Sequence, residues 1–309
     1  MTSRLRVSVP GQTLKDAIGD VPDGVEVLIW DFQSAPPAGE IDIVVPPYMG
    51  ALPLLERLSE VKARLVQSQS IGYDDVERVL PPGHVFANAA TVHETSTAEL
   101  ALALMLASQR GIPDFVRAAG ENGGRWAPER HASLADRTVL LIGYGGVGKA
   151  IETRLVPFEV EVVRVASTAR DTEEGHIHGL DELPSLLPEA DVVVVGVPLN
   201  DSTAGLVDDA FLSSMKDDAL LVNIARGRVA DTDAIIAHAS SGRLRFALDV
   251  TDPEPLPDGH PLFSFPNVLI SPHVGGATSA MMPRMGRLVR RQIDRMLAGE
   301  EPVNVVLRS

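Results

Sequence analysis

At 309 residues the chain is long enough for two domains of ordinary size, each with its own core. Its formal charge of −15 argues against non-specific binding to nucleic acid or to an anionic membrane, and it requires any anionic substrate to be held by locally placed cations. The absence of cysteine excludes disulfides, thiolate metal sites and cysteine nucleophiles.

Met1 to Pro10 holds no long apolar stretch, so no signal peptide is expected there, and the longest apolar run, Leu100–Ala107, is too short to span a bilayer. A cytoplasmic location is the expectation. Short apolar strands at Leu5–Val9, Val25–Trp30, Ile41–Val45 and Leu65–Ser68, with a helix at Ala51–Leu58, predict a small parallel α/β unit. Ser96-Thr97-Ala98-Glu99 reads as a capping box heading a helix over Leu100–Arg110 that stops at Gly111. This helix is apolar nearly all round, so it is expected to lie buried between two bodies of the protein.

After a polar, glycine-rich stretch from Gly120 to His131, Thr138-Val-Leu-Leu-Ile142 runs directly into Gly143-Tyr-Gly-Gly-Val-Gly148. In this strand–loop–helix setting Gly143 permits a tight turn, Gly145 lets the backbone approach a pyrophosphate, and Gly148 allows close helix–strand packing. The helix predicted over Lys149–Val156 would turn its first N–H groups toward those phosphates. Five more strands follow at Val160–Ala166, Asp191–Val197, Leu220–Ile224, Phe246–Val250 and Val268–Ile270, giving the size of a doubly wound dinucleotide domain.

The last predicted helix, about Pro283 to Ala298, places Met285, Leu288, Val289, Ile293, Met296 and Leu297 on one face and is closed by Gly299. It would return to the first domain. The expected architecture is therefore a Rossmann-type doubly wound dinucleotide domain (98–279) inserted into a split, smaller, flavodoxin-like α/β substrate domain (1–97 and 280–309).

Ligands of open α/β sheets bind outside the carboxyl ends of the strands. Just past those ends stand Pro198-Leu199, then Asn223-Ile-Ala-Arg-Gly227, then Asp249 with Asp252-Pro-Glu-Pro255, and finally Ser271-Pro-His273. An arginine, a carboxylate and a histidine thus share one rim with the glycine loop. Singly, each has an ordinary structural explanation as a surface ion-pair or loop residue; together they point to catalysis.

These residues resemble the D-isomer-specific 2-hydroxyacid dehydrogenases, and the resemblance runs over essentially the whole chain: Gly-Tyr-Gly-Gly-Val-Gly, Asn-Ile-Ala-Arg-Gly, Leu-Asp-Val before Pro-Glu-Pro, and Ser-Pro-His-Val-Gly-Gly. It implies that Arg226, Glu254 and His273 are the catalytic arginine, acid and histidine. Arg226 would grip the carboxylate and ketone of a 2-oxo acid with its planar fork. His273 would give a proton to the ketone oxygen, or act as base in oxidation, with Glu254 fixing its tautomer. Formate dehydrogenases resemble the family too but carry glutamine at the acid position, so Glu254 favours a 2-hydroxy or 2-oxo acid. The resemblance further implies that Tyr144, Gly145, Gly146, Val147, Val197, Pro198, Thr203, Ile224, Ala225, Arg226, Asp249, His273 and Gly275 line the cofactor. Ser70, Ile71 and Gly72 would offer N–H groups to the substrate carboxylate opposite Arg226, and Tyr48 and Met49 would wall the pocket. A homodimer is implied as well, packed through the helix around Leu100–Arg110 and the loop near Trp126.

An NAD site places an acid about 20 residues past the glycine loop, where it bonds the ribose 2′-OH. Here that position falls near Ala166, with no acid. Ser167, Thr168 and Arg170 instead offer hydroxyls and a cation suited to a 2′-phosphate, although Asp171 lies just beyond, so NADP is expected ahead of NAD. The pair His176 and His178 shows no carboxylate or cysteine partner at metal-ligand spacing and reads as a solvated loop or strand edge, with no metal expected. The leading function is an NADP-preferring 2-oxo acid reductase acting on glyoxylate, hydroxypyruvate or phenylpyruvate. The other is a dinucleotide-sensing binding protein on the same scaffold, like the family's corepressors.

Overall fold

The computed structural model describes residues 5–120, 124, 126 and 128–309. By its internal contacts the chain divides into two units, one of residues 1–93 with 278–309 and the other of residues 94–277.

The first unit is built on β1 (Leu5–Val9), β2 (Val25–Ile29), β3 (Ile41–Val44), β4 (Ala63–Gln67) and β5 (Val85–Ala87). Their parallel order is β2-β1-β3-β4-β5, the flavodoxin-like winding. The helix Gln12–Ile18 packs against the C-terminal helix Met281–Leu297. Gly286 sits so close to the Ala17 carbonyl that a Cβ would overlap it. Met285, Leu288, Val289 and Ile293 are buried as the periodicity predicts, whereas Met296 is partly covered and Leu297 is half exposed at the helix end. Residues 52–60 form a 3-10 helix rather than an α-helix, with Pro53 in its first turn.

The second unit carries β6 (Thr138–Ile142), β7 (Glu161–Val165), β8 (Arg170–Thr172), β9 (Gly175–His178), β10 (Val192–Val195), β11 (Leu220–Asn223), β12 (Arg245–Leu248) and β13 (Val268–Ile270). The chain closes on β14 (Val305–Arg308), which pairs antiparallel with β5 in the first unit's sheet.

The second sheet runs β13-β12-β11-β10-β6-β7-β9-β8, parallel except for the β8–β9 hairpin. All four residues of β10 and of β11 are buried, as strands covered on both faces require. The sheet has eight strands rather than the six expected. The additional pair, β8 and β9, is too short and polar to show a period of its own. A glycine loop leads from β6 into the helix Gly146–Leu155.

Two expectations for the helix after β5 need correction. It spans Glu94–Gln109, so Ser96 and Glu99 lie inside its first turns and make no capping box; Ser96 and Thr97 are buried. It packs on β11, β12 and the helix 146–155 of its own unit, and exposes Glu99 and Ala103 instead of being covered all round. A helix missed from sequence, Ile112–Gly120, follows Gly111, whose φ is +62°. Pro113 is tolerated in its first turn because an N–H there has no intrahelical acceptor. Among the described residues, no helix is long and apolar enough to cross a membrane.

Candidate active site

The glycine loop separates packing glycines from a ligand-facing one. Gly143 has φ +106° and a Cβ there would strike the Gly196 carbonyl; at Gly148 it would overlap the Gly143 carbonyl oxygen. Both are demanded by backbone approach. At Gly145, in contrast, a Cβ would meet no atom within 4 Å. Gly145 is the N-cap of helix 146–155, so open space lies where unpaired helical N–H groups gather. That cradle fits a dinucleotide pyrophosphate.

Tyr144 turns inward. Its hydroxyl donates to Glu152, which also takes the Arg164 guanidinium, and the Arg164 and Lys149 cations lie 5.6 and 5.7 Å from the ring centre. Burial first, and then the Glu152 bond, push the Tyr144 phenol above its ordinary pKa. Its side chain therefore braces β7 against the helix.

Beyond β7, Ser167, Thr168 and Arg170 are all exposed, with Arg170 Nη1 donating to the Thr168 carbonyl at 3.1 Å. Asp171 is bonded to His176 at 2.7 Å. Two hydroxyls and a guanidinium thus remain at the strand end, a donor set suited to a phosphate.

Beyond β10, Thr203 is buried. Its hydroxyl donates to the Pro198 carbonyl at 2.6 Å and accepts from the Asn200 N–H at 2.9 Å, and so shapes the 198–203 loop.

The three remaining strands deliver the reactive side chains. Asn223 Oδ1 accepts the Ala225 N–H (3.0 Å) and its Nδ2 donates to the Arg226 carbonyl (3.2 Å), which turns the chain out of β11 at Arg226. Gly227 follows because the Thr251 carbonyl occupies the place of a Cβ. That contact fixes the Arg226 loop against the segment after β12, where Glu254 sits. Glu254 Oε1 lies 2.5 Å from His273 Nδ1. A carboxylate only accepts, so Nδ1 carries the proton and the partly exposed ring offers Nε2.

His273 is held in an uncommon conformation, φ +51°. Asp249, only 3% exposed, maintains it: its carboxylate accepts Ser271 Oγ (2.7 Å), Val274 N (2.9 Å) and Gly275 N (3.0 Å), and its carbonyl accepts the His273 N–H (2.8 Å). Asp249 and Gly275, both expected to line the cofactor, are thus bonded to one another. Ile224 and Ala225 are buried, with their N–H groups given to Val195 and Asn223.

In the first unit the loop after β4 is pinned by its carbonyls. His93 Nε2 meets the Gln69 carbonyl at 2.6 Å, the Ala89 N–H donates to that of Ser70 at 2.9 Å, and Asn88 Nδ2 to that of Ile71 at 2.9 Å. Asn88 and His93 were missed from sequence because Asn88 follows a strand of only three residues. The Ser70 N–H is already given to Ser68 Oγ at 3.0 Å, which removes it as an anion donor and leaves those of Ile71 and Gly72. Tyr48 stacks on His93 with ring centres 5.5 Å apart, and Met49 is exposed. The expectation that no carboxylate accompanies His176 and His178 fails: the 3-10 turn after β9 brings Glu182 to His178 at 2.8 Å.

Comparison with known proteins agrees with this chemistry. A family model described as the NAD-binding domain of D-isomer-specific 2-hydroxyacid dehydrogenases matches residues 102–275. A glyoxylate reductase from Pyrococcus horikoshii is 34% identical over 80% of this chain and 77% of its own length. A human glyoxylate reductase/hydroxypyruvate reductase is 32% identical over 89% of each chain. Among solved structures, an NADPH-dependent glyoxylate/hydroxypyruvate reductase from Sinorhizobium meliloti, in complex with NADP and malonate, superposes with a TM-score of 0.79 at 27% identity, covering 99% of this chain and 98% of that one.

Proposed function

The chain belongs to the D-isomer-specific 2-hydroxyacid dehydrogenase family, and from that premise we propose that it is a reductase of small 2-oxo acids such as glyoxylate, hydroxypyruvate or phenylpyruvate, preferring NADPH to NADH. The observation that carries the reading is the 2.5 Å pair of His273 and Glu254 on the strand-end rim that also bears Arg226.

The glycine cradle would hold the pyrophosphate of the dinucleotide, whose reduced nicotinamide would supply the hydride. The rest is done by side chains. Arg226 binds the substrate carboxylate and polarises its ketone with a rigid pair of donors. His273, steered by Glu254 through Nδ1, presents Nε2 to the ketone oxygen and delivers the proton that becomes the hydroxyl hydrogen. Glu254 stabilises the charged ring before that transfer. Within the first unit, taken by itself, the Ile71 and Gly72 N–H groups are proposed as donors to a carboxylate, and Tyr48 and Met49 as pocket residues of that unit.

The NADPH preference rests on Ser167, Thr168 and Arg170 standing where an NAD site carries an acid. The dinucleotide-sensing alternative finds no support among the relatives, which are named as reductases. A homodimer is part of the proposal. The helix 112–120 buries none of its residues and exposes Ile112, Phe115 and Val116 beside an apolar hollow lined by Ala103, Leu106, Ala107 and Arg110. A second copy would cover such a surface. Of the loop expected to join that contact, residues 121–123, 125 and 127 lie outside the described residues, and Trp126 is 97% exposed.

Initial rates of reduced-nicotinamide oxidation over a panel of 2-oxo acids test the reading. No turnover with any of them, despite NADPH binding, sinks the reductase; a higher kcat/KM with NADH sinks the preference. Light scattering on the eluting peak gives the mass, and a monomer sinks the dimer.

A further inference from the structure

A second group of chemistry-bearing side chains gathers at the β8–β9 hairpin, with β7, β6 and β10 between it and the strand that delivers Arg226. His176 and His178 are two apart on β9 and so project from one face of the strand. Their rings meet edge to face with centres 4.5 Å apart. Glu182, from the turn Leu180–Glu182, reaches back: Oε2 is 2.8 Å from His178 Nδ1, and Oε1 accepts the Gly179 N–H at 2.8 Å. Asp171, opposite His176 in the β8–β9 register, places Oδ1 2.7 Å from His176 Nδ1.

One ligand atom from each of His176, His178 and Glu182 lies within 4.8 Å of the others. We propose that these three residues form a binding site for a transition-metal dication of the Zn2+ or Ni2+ kind, with water completing the coordination. Two imidazoles and a carboxylate are the donor set such ions favour, whereas Mg2+ and Ca2+ favour all-oxygen sites. Ligand atoms around tetrahedral zinc stand about 3.4 Å apart, so small side-chain rotations close the gap. An ion enters between His178 and Glu182 in place of the proton they share. Asp171 acts as the outer carboxylate: by holding Nδ1 of His176 it leaves Nε2 for the metal.

The fold gives such an ion something to do. The strand β9 pairs with β7 at only two positions and with β8 at three. The ladder to β7 is thus short, and the buried Ile177 and the Lys149–Glu174 ion pair at 3.8 Å add to what holds the hairpin at the sheet edge. A metal held by β9 and the 180–182 turn, with Asp171 of β8 behind it, links all three segments. The feature competing with this site is two separate His–carboxylate pairs that bind no ion.

Equilibrium dialysis of the tag-free full-length chain against Zn2+, at moderate salt to screen the acidic surface, separates them. Expected are one Zn2+ per chain, no displacement by excess Mg2+, and loss of that equivalent in His176→Ala/His178→Ala and in Glu182→Gln. Asp171→Asn weakens the binding about tenfold. Zn2+ raises the Tm of the native chain but not of the double variant. Circular dichroism of each variant separates loss of ligand from loss of fold, and Glu182→Gln, which keeps the shape of the side chain, covers the case of a double variant that does not fold. Equal zinc uptake by the well-folded double variant, no uptake by the native chain, or displacement by Mg2+ overturns the site.

Discussion

Asp249 holds His273 from both sides: its carbonyl takes the His273 N–H at 2.8 Å, and its carboxylate takes the next two N–H groups, of Val274 and Gly275. A histidine at φ +51° costs of order 1–3 kcal/mol unless its surroundings impose the conformation. Asp249→Asn replaces one accepting oxygen with a donor facing N–H groups. Expected is a fall in kcat of about tenfold or more with little change in cofactor KM. Steady-state kinetics with both substrates varied checks this; an unchanged kcat removes Asp249 from the positioning of His273.

His273→Ala removes the proton donor and is expected to lower kcat/KM by about 10²- to 10⁴-fold. Glu254→Gln keeps a hydrogen-bonding partner but loses the charge, so a smaller loss is expected, confined to kcat. Equal losses in the two variants would contradict the division of labour between ring and carboxylate.

Arg226→Lys keeps the positive charge and loses the fork. One charge-assisted bond less is worth about 1.5–3 kcal/mol, so kcat/KM for a 2-oxo acid falls roughly 10- to 100-fold. Isothermal titration with NADPH distinguishes substrate loss from cofactor loss, since cofactor affinity is expected to hold.

Two glycine variants separate packing from ligand space. Gly227→Ala drives a methyl into the Thr251 carbonyl and is expected to cost about 1–3 kcal/mol, read as a lowered Tm. Gly145→Ala meets no protein atom within 4 Å, so Tm stays put while KM for the cofactor rises. A Gly145→Ala enzyme with native cofactor affinity would remove the pyrophosphate from this loop. Arg170→Ala completes the set: it lowers kcat/KM with NADPH and leaves NADH turnover unchanged, shrinking the ratio of the two.

Tyr144 should report on its own surroundings. Its phenol is raised above the ordinary value of 10, so the neutral form is favoured in the folded chain. The stability this adds is present below pH 10 and is lost as pH rises through the raised value. Ultraviolet titration of the three tyrosines is expected to show one late phase that Tyr144→Phe abolishes.

What could be read from the residues followed the length of each element. Runs such as Val192–Val195 and Leu220–Asn223 announce buried parallel strands, and Arg226, Glu254 and His273 follow β11, β12 and β13 in turn. Strands of three or four residues with polar members, β8 and β9, carry no readable period, and so Glu182 could not be brought to His178 on paper. Ser96-x-x-Glu99 has the spacing of a cap but sits two residues inside a helix that begins at Glu94. Asp249 and Thr203 stand at strand ends, and the sequence did not show the loop hydrogen bonds their polar atoms make. Position along a strand is written in sequence order, whereas the direction a polar atom faces depends on how the loops beyond the strand fold back, as the Asp249 partners 22 to 26 positions away show.

The fit of Gly286 against Ala17 sets an order of events in the making of the protein. The helix 12–18 emerges early, with Leu14 and Ile18 ready to be covered, but Met285, Leu288 and Val289 leave the ribosome only after the whole of 94–277 has been made. At ordinary elongation rates that interval is roughly ten to forty seconds. Throughout it the nascent first unit waits with an uncovered apolar face, a natural station for a chaperone, while the second unit is continuous in sequence and waits for no later segment of its own.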